Sequence, residues 1–565
     1  MGRAMPTRQE IIGGLTAAGP FELVTDEAAG YPIRVYRHAP ASLREVLAGT
    51  RAHGARPFLI YEDEVLSYEG HFRKVAALAH ALRDAGVGKG DRVAIGMRNY
   101  PEWSIGWWAC HAIGAIAVAL NAWWTSPELR FALEDCAPAA LLIDGERLER
   151  LALVLGELEG VKAVIVARRG AAGPGGVDFD AVVGEGAEEL PPTDVAAGDL
   201  ATILYTSGTT GNPKGAMATH RTHVTNLMNT LLGGAVARAV AGAPAAADPA
   251  APQPGSLQTF PFFHIGGLSG LYIGAATGSR IALMYKGVPH EGVRLIETHQ
   301  ITGVAGVPIV VRQLLETARL SGVGLTSLVG LAAGGAPVPP DLIRTIGEQF
   351  HAKASPGNGY GLTETTSAVI ANGGPDYLAS PDSIGRPVPT AEVRFVDDDG
   401  RDVAEGAIGE IWIRGPNVIP GYWANPEATE AAFGGGWFRS GDLGYRDAAG
   451  LHYVVDRKKD VIIRGGENVY CAEVEALLLE HPLVRDAAVV GVPDANYGEA
   501  VGAILQMRPE DLCDGAAAEI LRSLEGRLAR FKIPSVVRLT EEELPRTATG
   551  KVLKRELRAK HFSPG

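Results

Sequence analysis

One segment of the sequence combines hydroxyl side chains, glycines and a lysine within a short stretch. It reads YTSGTTGNPKGAM over residues 205–217 and continues the apolar run ATILY. Hydroxyl groups and the backbone N–H groups of glycines can surround an anion, and Lys214 adds a positive charge. The residues that would contact the anion are Thr206, Ser207, Gly208, Thr209, Thr210, Gly211, Lys214 and Gly215. We therefore predict a phosphate-binding loop, which differs from a Walker A loop because Gly215 follows Lys214.

Six further polar or glycine-rich segments follow this loop along the chain. They are FPFFHIGGL (260–268), NGYGLTET (358–365), WFRSGDLG (437–444), DRKKD (456–460), GGENVYCAEVE (465–475) and PRTATGK (545–551). In type and order, the seven segments resemble those of the acyl-CoA synthetases, adenylate-forming enzymes of the fatty-acid or aryl-acid CoA ligase type. The resemblance implies a reaction in two halves. ATP activates a carboxylic acid as an acyl-adenylate, and coenzyme A then takes the acyl group as a thioester.

The resemblance also assigns roles to single residues in the first half of the reaction. The implied catalytic residues are Lys551, Glu364 and His264. Glu364 and Thr206 would ligate Mg²⁺, because this hard cation prefers oxygen ligands. Tyr360 offers an aromatic face to adenine, and Asp442 can accept hydrogen bonds from the ribose hydroxyls. The remaining implied nucleotide contacts are Asn358, Gly359, Gly361, Thr363 and Arg457.

The acid would bind among small and apolar residues of the matching segments. They are Ile265, Gly266, Val307, Gly334, Gly335 and Ala336. Their size leaves room for a bulky hydrophobic acid, so we expect a medium- or long-chain fatty acid. An aryl, alicyclic or steroid side-chain acid is one alternative, and an acyl-AMP ligase that delivers to a carrier protein is another. His264 either gates this pocket or lines it, and FPFFHIGG offers no acidic residue to pair with an α-amino acid.

The segment DRKKD resembles the hinge of this family. The resemblance implies that a small C-terminal domain rotates about Lys459 and exchanges the lysine loop for a path open to the thiol of coenzyme A. Gly465 and Gly466 would line that path, because backbone without a β-carbon lets a ligand approach closely. The predicted domains are an N-terminal adenylation domain (1–455), a hinge (456–460) and a mobile C-terminal domain (461–565).

Composition excludes several classes of protein. The 565 residues carry 52 Lys and Arg against 65 Asp and Glu, a net charge of −13, and 46% are hydrophobic. This is typical of a well-packed globular protein of several domains, and it argues against a nucleic-acid partner. The four cysteines show no metal-binding spacing, which favours a reducing cytoplasm. The expected partners are the acid, ATP and coenzyme A, and a homodimer remains open.

One apolar stretch is long enough to raise the question of a membrane span. It reads WWACHAIGAIAVALNAWW over residues 107–124. Pro101 before it and Gly114 within it divide the region into a helix (101–113) and a buried strand (114–120). We therefore predict no transmembrane span.

The secondary-structure elements that must position these motifs show two different sequence patterns. Between about 58 and 390, apolar strand-like runs alternate with helical patterns, which favours parallel sheets. From about 390 the strands are short and alternate with Gly/Pro turns, which indicates an antiparallel, β-barrel-like subdomain. The predicted fold is thus a large α/β N-terminal domain with this subdomain, followed by a small mobile α+β domain. The Ala/Pro-rich segment 233–256 is predicted to be a mobile insertion.

Overall fold

The computed structural model contains two large sheets, a smaller antiparallel sheet and a separate C-terminal sheet. It describes residues 6–27, 30–170, 175–206, 212–243, 251–336, 338–339, 342–346, 355–547 and 550–562. A two-stranded N-terminal hairpin, Leu23–Asp26 with Ile33–Tyr36, precedes them.

The first large sheet has eight described strands. In spatial order they are Gly421–Tyr422, Lys214–Thr219, Leu200–Thr206, Ile116–Ala119, Arg92–Gly96, Ala140–Asp144, Ala163–Ala167 and Val177–Asp178. The central strands pair in parallel, and the first two pair antiparallel at one edge. The strands Ile116–Ala119 and Ala140–Asp144 are buried throughout, as their continuous apolar runs require when helices cover both faces.

The second large sheet has nine described strands. In spatial order they are Arg386–Pro387, Ser367–Gly373, Ser355–Leu362, Gly330–Gly334, Gly303–Gly306, Gly255–Gln258, Arg280–Leu283, Pro57–Tyr61 and Glu64–Ser67. Its centre is parallel and both of its edges are antiparallel. The predicted parallel architecture is confirmed in both sheets.

Helices cover these sheets. In this part of the chain they are Arg8–Ala17, Leu43–Gly49, Tyr68–Asp84, Pro101–Ala112, Ser126–Cys136, Gly145–Leu151, Phe179–Val183, His220–Val240, Ile265–Thr277, Pro289–Thr298, Pro308–Leu320, Pro375–Ala379 and Pro426–Ala432. The helix Pro101–Ala112 is buried along its whole length, and the strand Ile116–Ala119 follows it. The apolar stretch 107–124 is therefore a core helix and strand, as predicted. Among the described residues, no helix is long and apolar enough to cross a membrane.

The predicted mobile insertion at 233–256 is wrong at both of its ends. The helix His220–Val240 continues through the first third of the segment, and the strand Gly255–Gln258 begins within its last two residues. Alanine is the best helix former, and Leu232 and Val236 bury their side chains in the core. These two effects outweigh the low complexity of the sequence. Residues 244–250 lie outside the described part.

The smaller antiparallel sheet follows the second large sheet. Its strands are Glu392–Val396, Gly409–Arg414, Trp437–Arg446, Phe433–Gly434 and His452–Arg457. Every pairing in it is antiparallel, as predicted from the short strands after residue 390.

The C-terminal part has a sheet and a core of its own. Its strands are Ile462–Arg464, Glu467–Val469, Asp486–Asp494, Gly498–Gln506 and Val536–Thr540, and its helices are Cys471–Leu479, Ala516–Arg522 and Lys554–Phe562. Val474, Leu478 and Val489 pack together in its core. This is the α+β arrangement expected after residue 460.

Candidate active site

Three of the predicted acid-site residues lie where strands of the second large sheet end. His264 follows the strand Gly255–Gln258, Val307 follows Gly303–Gly306, and Gly335 follows Gly330–Gly334. These three strands are parallel, so their carboxyl ends lie at one edge of the sheet. This edge is where open α/β sheets bind ligands.

The two ends of the predicted phosphate loop lie next to each other. Thr206 and Lys214 are cross-strand partners, and the Thr206 hydroxyl donates to the Lys214 carbonyl at 3.4 Å. The Lys214 ammonium lies 5.4 Å from the ring centre of Tyr422. The predicted contacts Ser207, Gly208, Thr209, Thr210 and Gly211 lie outside the described residues.

The Glu364 carboxylate is held in a strained turn. The turn Thr363–Thr365 is followed by Thr366 and Ser367, both with positive φ, at 48° and 82°. Left-handed backbone is costly for a β-branched residue and is found mainly where the surrounding structure enforces it. The Tyr422 hydroxyl donates to Glu364 Oε1 at 2.8 Å, and the Glu364 residue is 9% exposed.

These residues suit Mg²⁺ in a nucleotide site. Mg²⁺ usually binds one or two protein oxygen ligands and completes its shell with water and substrate phosphates. Glu364 and Thr206 supply such oxygens. No cluster of three or more His, Cys, Asp or Glu side chains suited to a metal occurs in the described ranges.

A second carboxylate pairs with a tyrosine and an arginine. The Tyr360 hydroxyl donates to Asp442 Oδ2 at 2.8 Å, and Arg457 Nε lies 3.2 Å from Asp442 Oδ1. Burial raises the pKa of Asp442, and Arg457 opposes that rise. Burial and the neighbouring Asp442 raise the pKa of Tyr360, which keeps its hydroxyl protonated as a donor.

The strand that carries Asn358, Gly359 and Tyr360 has, one residue before its end, a position that requires glycine. A β-carbon on Gly361 would lie 1.9 Å from the Ser367 carbonyl oxygen. The register of this strand with Ser367–Gly373 shifts between Tyr360 and Gly361. Gly361 therefore lets the turn that carries Glu364 fold back against the strand that carries Tyr360.

His264 begins the helix Ile265–Thr277 and caps it. Its Nδ1 accepts a hydrogen bond from Gly266 N at 3.1 Å. Burial, with a further contribution from Lys551, lowers the pKa of His264 to about 3. The imidazole is therefore neutral near pH 7. Because Nδ1 is the acceptor, Nε2 carries the proton.

Phe260 lies at the centre of the predicted acid pocket, although it was not among the residues predicted from sequence. Its ring stacks on His264 at 5.8 Å between ring centres. A β-carbon on Gly266 would lie 3.3 Å from the Phe260 ring, and one on Gly335 would lie 3.8 Å from the ring and 3.7 Å from Val307. Gly266, Gly335 and Val307 thus surround an aromatic wall.

Two predicted pocket residues point elsewhere. Ile265 is packed in the hydrophobic core with its helix neighbours, because it follows the cap on the core side of the helix. A β-carbon on Gly334 would lie 3.0 Å from the Gly359 carbonyl, so Gly334 faces the adjacent strand. Ala336 follows Gly335 and is half-buried.

The lysine loop reaches this cleft from the C-terminal part. A β-carbon on Gly550 would lie 2.9 Å from Val307 Cγ2, so the loop touches the pocket wall. The Lys551 side chain is exposed overall, but the surrounding protein partly buries its ammonium group. This burial, together with Arg457, lowers the pKa of Lys551, whereas Asp442 and Glu364 attract the charged form. Residues 548–549 lie outside the described part.

The predicted hinge and thiol path are exposed. Lys459 lies in the turn Lys458–Asp460 and is near enough to Lys551 to repel its charge. Gly465 and Gly466 have φ of 60° and 90° and join two short strands. A β-carbon on Gly466 would meet no atom within 4 Å.

The chain is similar to known proteins along most of its length. Residues 48–423 match the family described as AMP-binding enzyme, and residues 473–551 match the AMP-binding enzyme C-terminal domain. A feruloyl-CoA synthase from an Amycolatopsis species is 36% identical over 495 residues, which cover 87% of this chain and 93% of that protein. An indoleacetate–CoA ligase from Aromatoleum aromaticum is 34% identical over 88% of this chain and 94% of its own. The Bacillus subtilis o-succinylbenzoate CoA synthetase, solved with its acyl-adenylate intermediate, has a TM-score of 0.76 and 30% identity, with coverage of 91% of this chain and 97% of that one.

Proposed function

Because this chain belongs to the AMP-binding enzyme family, we propose that it joins a carboxylic acid to coenzyme A through an acyl-adenylate, and that this acid carries an aromatic ring. The chain is an AMP-forming acid–CoA ligase that uses ATP, Mg²⁺ and coenzyme A. The identity of the acid is the finer part of the proposal.

The aromatic wall of the pocket carries this choice of acid. Phe260 packs beside Gly266 and Gly335, which places an aromatic ring among the residues predicted to bind the acid. Offset stacking of aromatic rings contributes about 0.5 to 1.5 kcal/mol beyond the area that is buried. The relatives named for feruloyl, indoleacetate and o-succinylbenzoate substrates favour the same reading. The fatty acid expected from the small pocket residues is therefore replaced by the aryl alternative.

In the first half of the reaction, a carboxylate oxygen of the acid attacks the α-phosphorus of ATP. The bond from that phosphorus to the oxygen of the leaving pyrophosphate breaks as the mixed anhydride forms. Negative charge develops on the phosphate oxygens, so a cation placed there stabilises the transition state more than the ground state. We assign that role to Lys551, because its ammonium lies in the same cleft as Asp442 and Glu364.

His264 is assigned to the carboxylate of the acid. Its neutral imidazole has a proton on Nε2, and the adjacent Phe260 ring holds its plane. A neutral donor orients the carboxylate without the strong ion pairing that would reduce its nucleophilicity. Glu364 and Thr206 would hold Mg²⁺, which supplies neutralisation of phosphate charge when it is bound.

In the second half, the sulfur of coenzyme A attacks the acyl carbon, and the bond from that carbon to the AMP oxygen breaks. The thiol proton is released to solvent or a base. We propose that residues 461–565 rotate about Lys459 relative to residues 1–455, which withdraws Lys551 and brings Gly465 and Gly466 to the cleft. The cytoplasm, where ATP and reduced coenzyme A are available, is the expected location.

Release of pyrophosphate over a panel of acids tests the proposal. The sharpest pair is cinnamate and the straight-chain acid with the same number of carbon atoms, because they differ in shape more than in apolar area. We expect kcat/KM for cinnamate to be at least roughly ten-fold higher, corresponding to about 1.4 kcal/mol. Equal values, or a preference for the straight chain, would contradict the aromatic proposal.

The same assay with and without coenzyme A tests the acceptor. We expect coenzyme A to accelerate turnover and to appear as the aryl thioester by mass spectrometry. Accumulation of acyl-adenylate that coenzyme A does not discharge would instead favour a ligase that delivers to a carrier protein.

A further inference from the structure

A seven-residue segment contacts both the turn that carries Glu364 and the strand that leaves the phosphate loop. None of the roles predicted from sequence includes it. We call residues 417–423 the brace. On one side, the brace holds the turn that carries Glu364: Asn417 Nδ2 donates to the Thr365 carbonyl at 2.8 Å, and Ile419 N donates to the Glu364 carbonyl at 2.9 Å.

On its other side, the brace is attached to the strand that leaves the phosphate loop. Gly421–Tyr422 pairs antiparallel with that strand, opposite Met217 and Ala216. Trp423 N donates to the Gly215 carbonyl at 2.7 Å. Ile419 and Tyr422 pack with Ala216 and Ala218 in a small buried cluster. The brace therefore fixes the distance between the loop exit and the Glu364 turn.

Tyr422 is the one side chain of the brace whose described contacts reach functional groups on both sides. Its hydroxyl donates to Glu364 Oε1 at 2.8 Å, and its ring centre lies 5.4 Å from the Lys214 ammonium. A hydrogen bond to one carboxylate oxygen fixes the rotation of the carboxylate and leaves the second oxygen for a cation. The face of an aromatic ring attracts an ammonium group without neutralising it, so Lys214 keeps its charge for phosphate.

We propose that Tyr422 is a positioning residue, which orients Glu364 toward Mg²⁺ and fixes it relative to Lys214. This inference rests on the proposed function, since it needs the metal to arrive with the nucleotide. The two interactions of Tyr422 can be separated, because phenylalanine keeps the ring beneath Lys214 and removes only the hydroxyl.

The test measures ATP binding by isothermal titration calorimetry without any carboxylic acid, so that no adenylation occurs. Each protein is titrated once with Mg²⁺ and once with EDTA. We expect Tyr422→Phe to reduce the Mg²⁺-dependent gain in ATP affinity roughly ten-fold, because a hydrogen bond to a charged group is lost. Affinity in EDTA should stay within about two-fold of wild type, because the ring remains near Lys214.

Tyr453→Phe is the matched control. The Tyr453 hydroxyl also donates to a carboxylate, Asp447 Oδ2, at 3.0 Å, but neither residue lies among those assigned to the site. We expect this variant to bind ATP like wild type in both conditions. An equal loss with Mg²⁺ and with EDTA in Tyr422→Phe, or a similar loss in Tyr453→Phe, would overturn the proposal.

A double-mutant cycle with Glu364→Gln tests the path of the effect. If Tyr422 acts through the Glu364 carboxylate, then adding Tyr422→Phe to Glu364→Gln should hardly reduce the Mg²⁺-dependent gain in ATP affinity any further. An undiminished effect in that background would overturn the proposed role. Absence of any Mg²⁺-dependent gain in the wild-type protein would instead contradict the proposed function. A normal gain that is unchanged in Tyr422→Phe would contradict this inference alone.

Discussion

The C-terminal part of the chain presents two loops to its surroundings in opposite ways. The loop ending at Lys551 lies in the cleft, where Gly550 touches Val307 and the Lys551 charge interacts with Asp442 and Glu364. The turn at Gly465 and Gly466 is exposed, and the neighbouring Ile463 and Tyr497 are 57% and 51% exposed. The Lys551 loop of the C-terminal part therefore contacts the predicted acid pocket, whereas the turn at Gly465 and Gly466 faces solvent. This difference supports the proposal that the present arrangement serves adenylation and that the thiol step uses the turn at Gly465 and Gly466.

The largest expected effect distinguishes the half-reactions that are assigned to the two loops. Lys551→Ala should slow pyrophosphate release roughly a thousand-fold, because an ammonium about 4 Å from the reacting oxygens contributes about 4 kcal/mol at an effective dielectric near 20. Thioester formation from supplied acyl-adenylate and coenzyme A should stay near the wild-type rate. Both half-reactions can be followed separately by pyrophosphate release and by chromatography of the thioester. An equal loss of both rates would contradict the proposal that the Lys551 loop acts in adenylation alone.

Filling the exposed turn should give the reverse pattern. Gly466→Leu should slow thioester formation by at least about ten-fold, because a side chain at this positive φ is strained and would fill the proposed thiol path. Adenylation should be unaffected, as a β-carbon there meets no atom in the present arrangement. Gly515→Leu is the control, since Gly515 has a φ of 94° and is equally free of neighbours. Full turnover by Gly466→Leu would contradict the proposal that this turn lines the path of the thiol.

Lys554 lies three residues after Lys551 and tests whether a lysine close to it in sequence also takes part in adenylation. Lys554 forms an ion pair with Glu475 at 2.7 Å, with the side chains 23% and 17% exposed. Burial lowers the pKa of Lys554, but Glu475 outweighs it, so the pKa is raised. Lys554→Met should lower the free energy of unfolding by about 3 kcal/mol, because it leaves a mostly buried carboxylate unpaired. Adenylation by the folded variant should persist.

Urea denaturation measures this loss, with Lys560→Met as the control. Lys560 pairs with Glu542 at 2.6 Å on the surface, with the side chains 59% and 69% exposed. Its loss should lower the free energy of unfolding far less than the loss of Lys554, because solvent screens an exposed ion pair. Equal stability of the two variants would show that Lys554 does not hold the C-terminal part together.

The smallest effect concerns pH. Lys551 must be protonated to stabilise negative charge, and its pKa is lowered from 10.5 by burial and by Arg457. Adenylation should therefore fall as pH rises through this lowered pKa, earlier than for an ordinary lysine. Lys551→Arg should move the alkaline limb of the pH profile upward, because arginine stays charged. His264, with a pKa of about 3, should add no titration between pH 5 and 8. An alkaline limb that stays in place would assign it to another group.

Much of the fold could be predicted because apolar runs and helical periodicity are local signals. The strands Arg92–Gly96, Ala140–Asp144 and Ala163–Ala167 occur where such runs were found. The end of the helix His220–Val240 differs from the prediction because low-complexity sequence is typical of mobile segments, whereas here alanine favours helix and the buried Leu232 and Val236 anchor it.

The site was predictable where a residue's chemistry is visible in its own segment. Lys551, Asp442 and Glu364 carry charge inside recognisable motifs, and the structure brings them within electrostatic reach of one another. Phe260 lies within the recognised segment FPFFHIGGL, but its proximity to Gly335 joins parts of the chain that are far apart in sequence, as do the contacts of Tyr422 with the site. Phe260 gains its place from Gly335, and Tyr422 gains its place from a strand pairing with Ala216. Such contacts are properties of topology and carry no local pattern.

The contact between Gly550 and Val307 has a thermodynamic consequence. Val307 belongs to the wall of the acid pocket, and Gly550 belongs to the loop that presents Lys551. An acid that displaces Val307 changes the stability of the docked loop, and by linkage the docked loop changes the affinity for that acid to the same degree. In the proposed domain rotation, the fit of the acyl group against Val307 would therefore contribute to the balance between the docked and the withdrawn loop.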